Sequence, residues 1–223
     1  HDRAKSDPKR LVFAEADQMD VLKAAQIVEE EGIAKPILLG NKAVINDLRK
    51  AIDFDAELEI IDPKDESHDA QRKMYAALFW KDQKRKGYTL YDAERLMWER
   101  NYFASMMVKN GDADAMLSGY SRNYRSVVKP ILETISKAKG VSKVAATNLM
   151  LTKSGPLFLS DTTINVEPSA SELAKIAQMT GHMAGLFGIE PIIAMVSFSN
   201  FGSSRFIQAK KVTEAVSILH RSN

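Results

Sequence analysis

The 223-residue chain has no cysteine. That absence excludes a disulfide framework and a thiolate nucleophile, and it fits a reducing compartment. Long apolar runs are missing as well. None approaches the roughly 18 residues of a membrane-spanning helix. The start "HDRAKSDPKR" has neither the apolar segment of a signal peptide nor its small-residue cleavage site, so a cytoplasmic protein is the expectation. Charge of one sign is scarce too. With 31 Lys and Arg against 29 Asp and Glu, the formal net charge is +2, too little to draw in nucleic acid or a membrane surface through a global field. Neither is expected as a partner, and any anion binding must be local. Eleven glycines and seven prolines are too few for a low-complexity chain.

Hydrophobic residues make up 45 % of the chain and charged residues 27 %, the balance of a globular protein whose core needs no stapling. Short apolar runs alternate with amphipathic stretches, the pattern of an α/β layer fold. "RLVFAE" (10–15), "PILLG" (36–40) and "LEIID" (58–62) read as strands. Between them lie a helix over 19–31, with Val21, Ala24, Ala25 and Val28 inward, and a short helix carrying Val44, Ile45 and Leu48. Two long helices follow, over 66–86 and 90–109, then a strand at "DAMLSG" (114–119) and a helix over 123–137. The rhythm resumes with strands at "KVAATNLML" (143–151) and "LFLSD" (157–161) and a helix from Ser169 to a stop at Gly188. A strand at "IIAMV" (192–196) and a last helix over 206–220 complete it. Ser169 and Glu172 have the spacing of a capping box. The softest boundary, 137–142, splits the chain into a first α/β lobe, 1–140, and a second, 141–223, with a cleft expected between them. Because the chain stops after a helix where the alternation calls for another strand, the C-terminal part of the second lobe is expected to be missing.

Ligands of open α/β sheets bind beyond the carboxyl ends of strands, and three stretches sit there. In "SFSNFGSSRF" (197–206), Ser199, Asn200, Gly202, Ser203 and Ser204 precede a helix that Ser203 or Ser204 would cap. Free amides at a helix start, reinforced by hydroxyls, suit a phosphate, while a solvated turn is the plainer reading. In "SGYSRNYRSVVKP" (118–130), Arg122, Arg125 and Lys129 share one helix face if the helix begins early. Cations in a first turn oppose the helix dipole, so either a nearby carboxylate or an anionic ligand should compensate. In "SDTTIN" (160–165), Asp161 and Asn165 either orient a ligand or merely fix a turn. The basic run 81–87 reads as a solvated helix end. None of the four histidines has a metal-ligand partner at useful spacing.

Several motifs in the right order, "NYFASMMVKNGDADAMLSGY", "FLSDTTINVEPSASELAKIA" and "FGIEPIIAMVSFSNFGSS", together with the opening 31-residue stretch from Arg10 to Gly40, resemble the phosphate acetyltransferase family over essentially the whole chain. The details are most similar to the phosphate-acetyltransferase-like domain at the carboxyl end of bacterial NADP-dependent malic enzymes. Working transferases of that family tend to carry Asp-Cys-Ala-Val-Asn-Pro where this chain has Asp161-Thr162-Thr163-Ile164-Asn165-Val166. They tend to show Ser-Thr-Lys/Gly-Gly-Ser at 199–203, where Asn200 and Phe201 stand here, and an arginine before proline where this chain has Lys129-Pro130. Lysine keeps the charge but loses the planar fork that grips phosphate bidentately.

The resemblance implies a three-layer α/β/α fold of the isocitrate-dehydrogenase-like kind, a homodimer or higher homo-oligomer, and a cleft shaped for coenzyme A. It implies a domain that has lost transferase activity and senses acetyl-CoA as effector on behalf of a malic enzyme catalytic domain elsewhere in the parent chain. No resident cofactor is expected in these residues, since NADP and a divalent metal would belong to that catalytic domain. The family's catalytic serine, arginine and aspartate are expected beyond residue 223. On this reading Arg122, Arg125 and Lys129 meet the phosphates of coenzyme A, the 199–204 loop supplies amides and hydroxyls, and Asp161 and Asn165 shape the cleft floor. The alternative is an active phosphate acetyltransferase. A plain dimerisation module with an empty cleft is the non-enzymatic third reading.

Overall fold

The apolar run at 10–15 lies within a parallel sheet. In the computed structural model, which describes residues 2–200 and 203–222, the chain divides into two compact units, residues 1–136 and 137–223. A short helix α1 (Asp2–Ser6) leads into β1 (Lys9–Phe13). Strand β1 pairs in parallel with β2 (Ala34–Leu39), Val12 opposite Ile37, and with β4 (Ala115–Leu117), Val12 opposite Met116. Strand β3 (Glu59–Ile61) joins the far side of β2, giving the order β3-β2-β1-β4.

Successive strand residues point to opposite faces, and both faces are covered. Val12, Ile37, Leu39 and Ile61 pack with Tyr75, Phe79, Phe103, Met106 and Met107, from α4 (Asp69–Gln83) and α6 (Arg100–Asn110). Phe13 and Leu38 pack on the other side with Leu22 and Ala25 of α2 (Met19–Glu30) and with Ile45 of α3 (Lys42–Ala51). Unit 1 is therefore three layers, α/β/α. Leu22 and Ala25 are the fully buried pair of α2, with Val21, Ala24 and Val28 only flanking them.

Two helix boundaries differ from the sequence expectation. The predicted helix over 90–109 is broken into α5 (Leu90–Leu96) and α6. The Glu99 carboxylate accepts the amides of Asn101 (2.9 Å) and Tyr102 (3.1 Å), so an acidic cap starts a new helix inside a window of continuous helical periodicity. Helix α7 (Tyr124–Thr134) stops before 137, with Ile135 extended and the Thr134 hydroxyl turned back to the carbonyl of Pro130.

In unit 2, β5 (Thr147–Thr152) and β6 (Gly155–Ser160) form an antiparallel hairpin. Helix α8 (Ala170–Leu186) opens on the expected capping box: Glu172 N donates to Ser169 Oγ and Ser169 N to the Glu172 carboxylate, with Lys143 2.7 Å away. Removing the hydroxyl by Ser169→Ala should cost about 1 kcal/mol, read as faster amide exchange in the first turns of α8 under mild urea. Helix α9 (Ile207–Arg221) packs on α8, and its buried residues are Ala209 and Ala215. Its N-cap is Phe206, which has no side-chain cap bond, so neither Ser203 nor Ser204 holds that position as expected. Ser204 instead accepts the amide of Phe206 at 3.4 Å.

The strand expected at 192–196 is absent among the described residues. Among the described residues strands β5 and β6 pair only with each other, and an apolar run becomes a strand only when a neighbouring backbone meets its amides and carbonyls. Ile192 is fully exposed and Val196 nearly so. No helix among the described residues is long and apolar enough to cross a membrane.

Candidate functional site

The carboxyl ends of the unit 1 strands carry an unusual density of charge. Glu15, two residues past the end of β1, is 1 % exposed. Its carboxylate accepts the amides of Gly119 (2.7 Å), Tyr120 (3.0 Å) and Ser121 (2.8 Å), and the Ser121 hydroxyl. Burial alone would push this carboxyl up, but the hydrogen bonds outweigh it and hold the pKa at about 2. The "SGYS" turn has the amide concavity of an anion cradle, and the protein's own carboxylate fills it. Those amides are engaged and cannot also bind a ligand phosphate. Glu15 was missed as a site residue. Its one signal was an acidic residue closing an otherwise apolar strand.

Beside it Asp17 grips the Arg100 guanidinium with two hydrogen bonds, 2.7 and 3.0 Å. Gly40 makes room for this pair, since a Cβ there would lie 3.3 Å from both Asp17 Cγ and Ile45 Cδ1. Arg100, Glu99, Trp98, Lys64, Asn41 and Arg122 line one cavity of about 170 Å³. Burial raises the pKa of Glu99. Behind the cavity Arg72, 4 % exposed, donates to the carbonyls of Pro63 (2.6 Å) and Asp65 (2.7 Å) and stacks 4.1 Å from the centre of the Trp98 ring.

Of the three cations read as a stripe, Arg122 precedes the N-cap Asn123, while Arg125 and Lys129 lie a turn apart on α7. The helix starts too late for all three to share its face. Lys129 has a carboxylate nearby, with Glu133 at 3.8 Å. Arg122 is within electrostatic reach of Glu99. Neither Arg122 nor Arg125 makes a side-chain hydrogen bond or ion pair among the described residues, and both are exposed.

In unit 2 the Asp161 carboxylate accepts the amides of Ala146 (3.0 Å), Thr163 (3.2 Å), Ile164 (3.2 Å) and Asn165 (2.7 Å). Asn165 also donates its side-chain amide to Asp161 and to the carbonyl of Val144. Partial burial opposes these bonds, yet they hold the Asp161 pKa at about 2. Asp161 and Asn165 thus fix the turn after β6. In the serine-rich loop Ser199 Oγ accepts the amide of Ser204 (3.1 Å), and Asn200 O accepts that of Ser203 (2.9 Å). Gly202 lies outside the described residues.

The sequence of the whole chain, residues 1–223, matches the family described as phosphate acetyl/butaryl transferase. The chain belongs to that family. Among curated relatives of this family member, an NADP-dependent malic enzyme of Salmonella typhimurium is 36 % identical over an alignment of 223 positions that covers 96 % of this chain and 28 % of the enzyme. A phosphate acetyltransferase of Thermoanaerobacterium thermosaccharolyticum is 36 % identical over an alignment of 225 positions that covers 97 % of this chain and 67 % of that protein. The chain therefore spans under a third of the malic enzyme and about two thirds of the acetyltransferase. A phosphotransacetylase crystal structure from Streptococcus pyogenes superposes with a TM-score of 0.88 at 34 % identity, covering all of this family member and 67 % of that chain.

Proposed function

We propose that the chain is a regulatory, acyl-CoA-binding domain of an NADP-dependent malic enzyme, with acetyl-CoA as its effector. The observation that carries the reading is the pair Arg122 and Arg125, exposed and without a side-chain hydrogen bond or ion pair among the described residues, after a strand end of a phosphate acetyl/butaryl transferase family member. Two exposed guanidiniums at the start of α7, of which Arg122 has only the electrostatic reach of Glu99 and neither has a hydrogen bond or ion pair among the described residues, suit an anionic ligand, and an acyl-CoA carries several phosphates. Lys129 adds a third cation one turn further on, at the position where the resemblance puts arginine in working transferases. Ser199, Asn200, Gly202, Ser203 and Ser204 would contribute polar contacts in unit 2, and Asp161 and Asn165 would hold the adjoining turn. The effector would act by binding one arrangement of a cytoplasmic homodimer or higher oligomer more tightly, which biases the catalytic domain where NADP and a divalent metal reside.

Titrating acetyl-CoA into the intact parent protein while following malate-dependent NADPH formation is expected to change the rate. The change should be lost in Arg122→Ala and Arg125→Ala. An unaltered rate across the titration overturns the regulatory reading. A second reading has equal support in sequence, since the identity to the Thermoanaerobacterium acetyltransferase is as high as to the malic enzyme. On it the parent moves the acetyl group from coenzyme A to inorganic phosphate. Acetyl phosphate formed from acetyl-CoA and phosphate by the parent protein would establish that activity.

A further inference from the structure

We infer that Asn101 is a positioning residue for Arg122 and Arg125: its buried side chain ties together the two ends of the segment 118–126, which carries both arginines. Resting on the acyl-CoA reading above, this assigns the aim of the two cations to a side chain that itself meets no ligand.

Asn101 lies in the first turn of α6 and is 0 % exposed. Its helix neighbours Phe103, Ala104, Met106 and Met107 fill the core, and an apolar residue at 101 would do the same without the cost of burying an amide. The amide is spent on two bonds. Its oxygen accepts the Ser118 hydroxyl at 2.7 Å, and its N–H₂ group donates to the carbonyl of Ser126 at 3.3 Å. Ser118 follows the end of β4, and Ser126 lies in the first turn of α7. One side chain thus closes the loop 118–126, with Arg122 at its midpoint. Within that span Glu15 fills the turn at 119–121, and the Asn123 side chain caps α7 by accepting the amide of Ser126 at 3.0 Å. The backbone on both sides of Arg122 is fixed, while its guanidinium stays exposed and makes no hydrogen bond or ion pair among the described residues. A satisfied buried polar network specifies one arrangement of the elements that it joins. Cations already held in that arrangement lose less freedom when an anion binds.

Asn101→Ala is expected to weaken acetyl-CoA binding by the parent protein about tenfold in calorimetry, at a temperature where its circular dichroism matches that of the unaltered protein. Ser118→Ala removes only one of the two bonds and should weaken binding about threefold; it carries the test if Asn101→Ala does not fold. In a background of Arg122→Ala with Arg125→Ala, either change should alter the remaining affinity less than about twofold, because a residue that acts through the arginines then has nothing to position. Affinity left unchanged by Asn101→Ala and Ser118→Ala overturns the assignment. A loss of the same size with and without the two arginines also overturns it, since a merely structural role behaves that way. If the unaltered protein binds no acetyl-CoA, the acyl-CoA reading falls, and amide exchange decides the clamp by itself. Faster exchange confined to 119–126 in Ser118→Ala supports it, and unchanged exchange there overturns it.

Discussion

Glu15→Ala is expected to cost unit 1 about 3 kcal/mol, because it strips three backbone amides and the Ser121 hydroxyl of the one buried carboxylate they share. Both tryptophans and all six tyrosines lie at or before residue 124, so fluorescence during urea unfolding reports unit 1 alone. The acid limb of the unaltered chain carries the same information. Glu15 is depressed from its ordinary 4.5 to about 2, so its contribution is complete above about pH 5 and is lost as the pH falls through 2. A shift of that size corresponds to about 3 kcal/mol. Glu15→Gln keeps one acceptor oxygen but points an N–H₂ group at amide donors, so it should be destabilised at pH 7 and should lose this part of the acid dependence. The emptied turn in Glu15→Ala is an anion nest beside Arg122, and added acetate or formate should restore part of the loss. An unchanged urea midpoint in Glu15→Ala, with the acid limb intact, would mean that the 119–121 amides find their acceptors elsewhere.

The same residue shows where reading the sequence succeeds and where it stops. Strands β1, β2 and β3 were legible because a strand covered on both faces is a continuous apolar run, and the α8 start because Ser169 and Glu172 announce a cap locally. The break before α6 was not legible, because Leu96, Met97, Phe103 and Met107 keep a plausible helical period across it while the deciding bond is made by one carboxylate, Glu99. Residues 192–196 read as a strand because apolar runs do so wherever they lie, but pairing depends on a neighbour that the run cannot specify. The candidate cavity was only partly legible. Arg122 stood out by its motif, whereas Lys64, Trp98 and Arg100 are brought together by β3 and the α5–α6 break, which have no common signature in the chain.

The two readings that the sequence left open at Asp161, ligand holder or turn fixer, make opposite predictions for Asp161→Ala. As a turn fixer Asp161 ties the end of β6 to the segment before β5 through Ala146 and gathers the amides of Thr163, Ile164 and Asn165. Its removal should then cost about 2 kcal/mol locally, a roughly thirtyfold loss of amide protection along the β5–β6 hairpin. Hydrogen exchange followed by mass spectrometry is the suitable probe, since unit 2 has neither tryptophan nor tyrosine. The acid dependence has the same sign as for Glu15: depressed from 3.8 to about 2, the Asp161 contribution is complete above about pH 4 and is lost as the pH falls through 2. Asp161→Asn, which retains one acceptor, should fall between the two. If the hairpin instead exchanges as slowly as before while acetyl-CoA binding disappears, the carboxylate serves the ligand rather than the turn. Glu15 and Asp161 share one device, an internal carboxylate set into the amides of a turn that would otherwise be an anion site. With the amides of "SGYS" and "SDTTIN" both taken by internal carboxylates, Arg122 and Arg125, and not those backbone amides, carry the proposed recognition of phosphate.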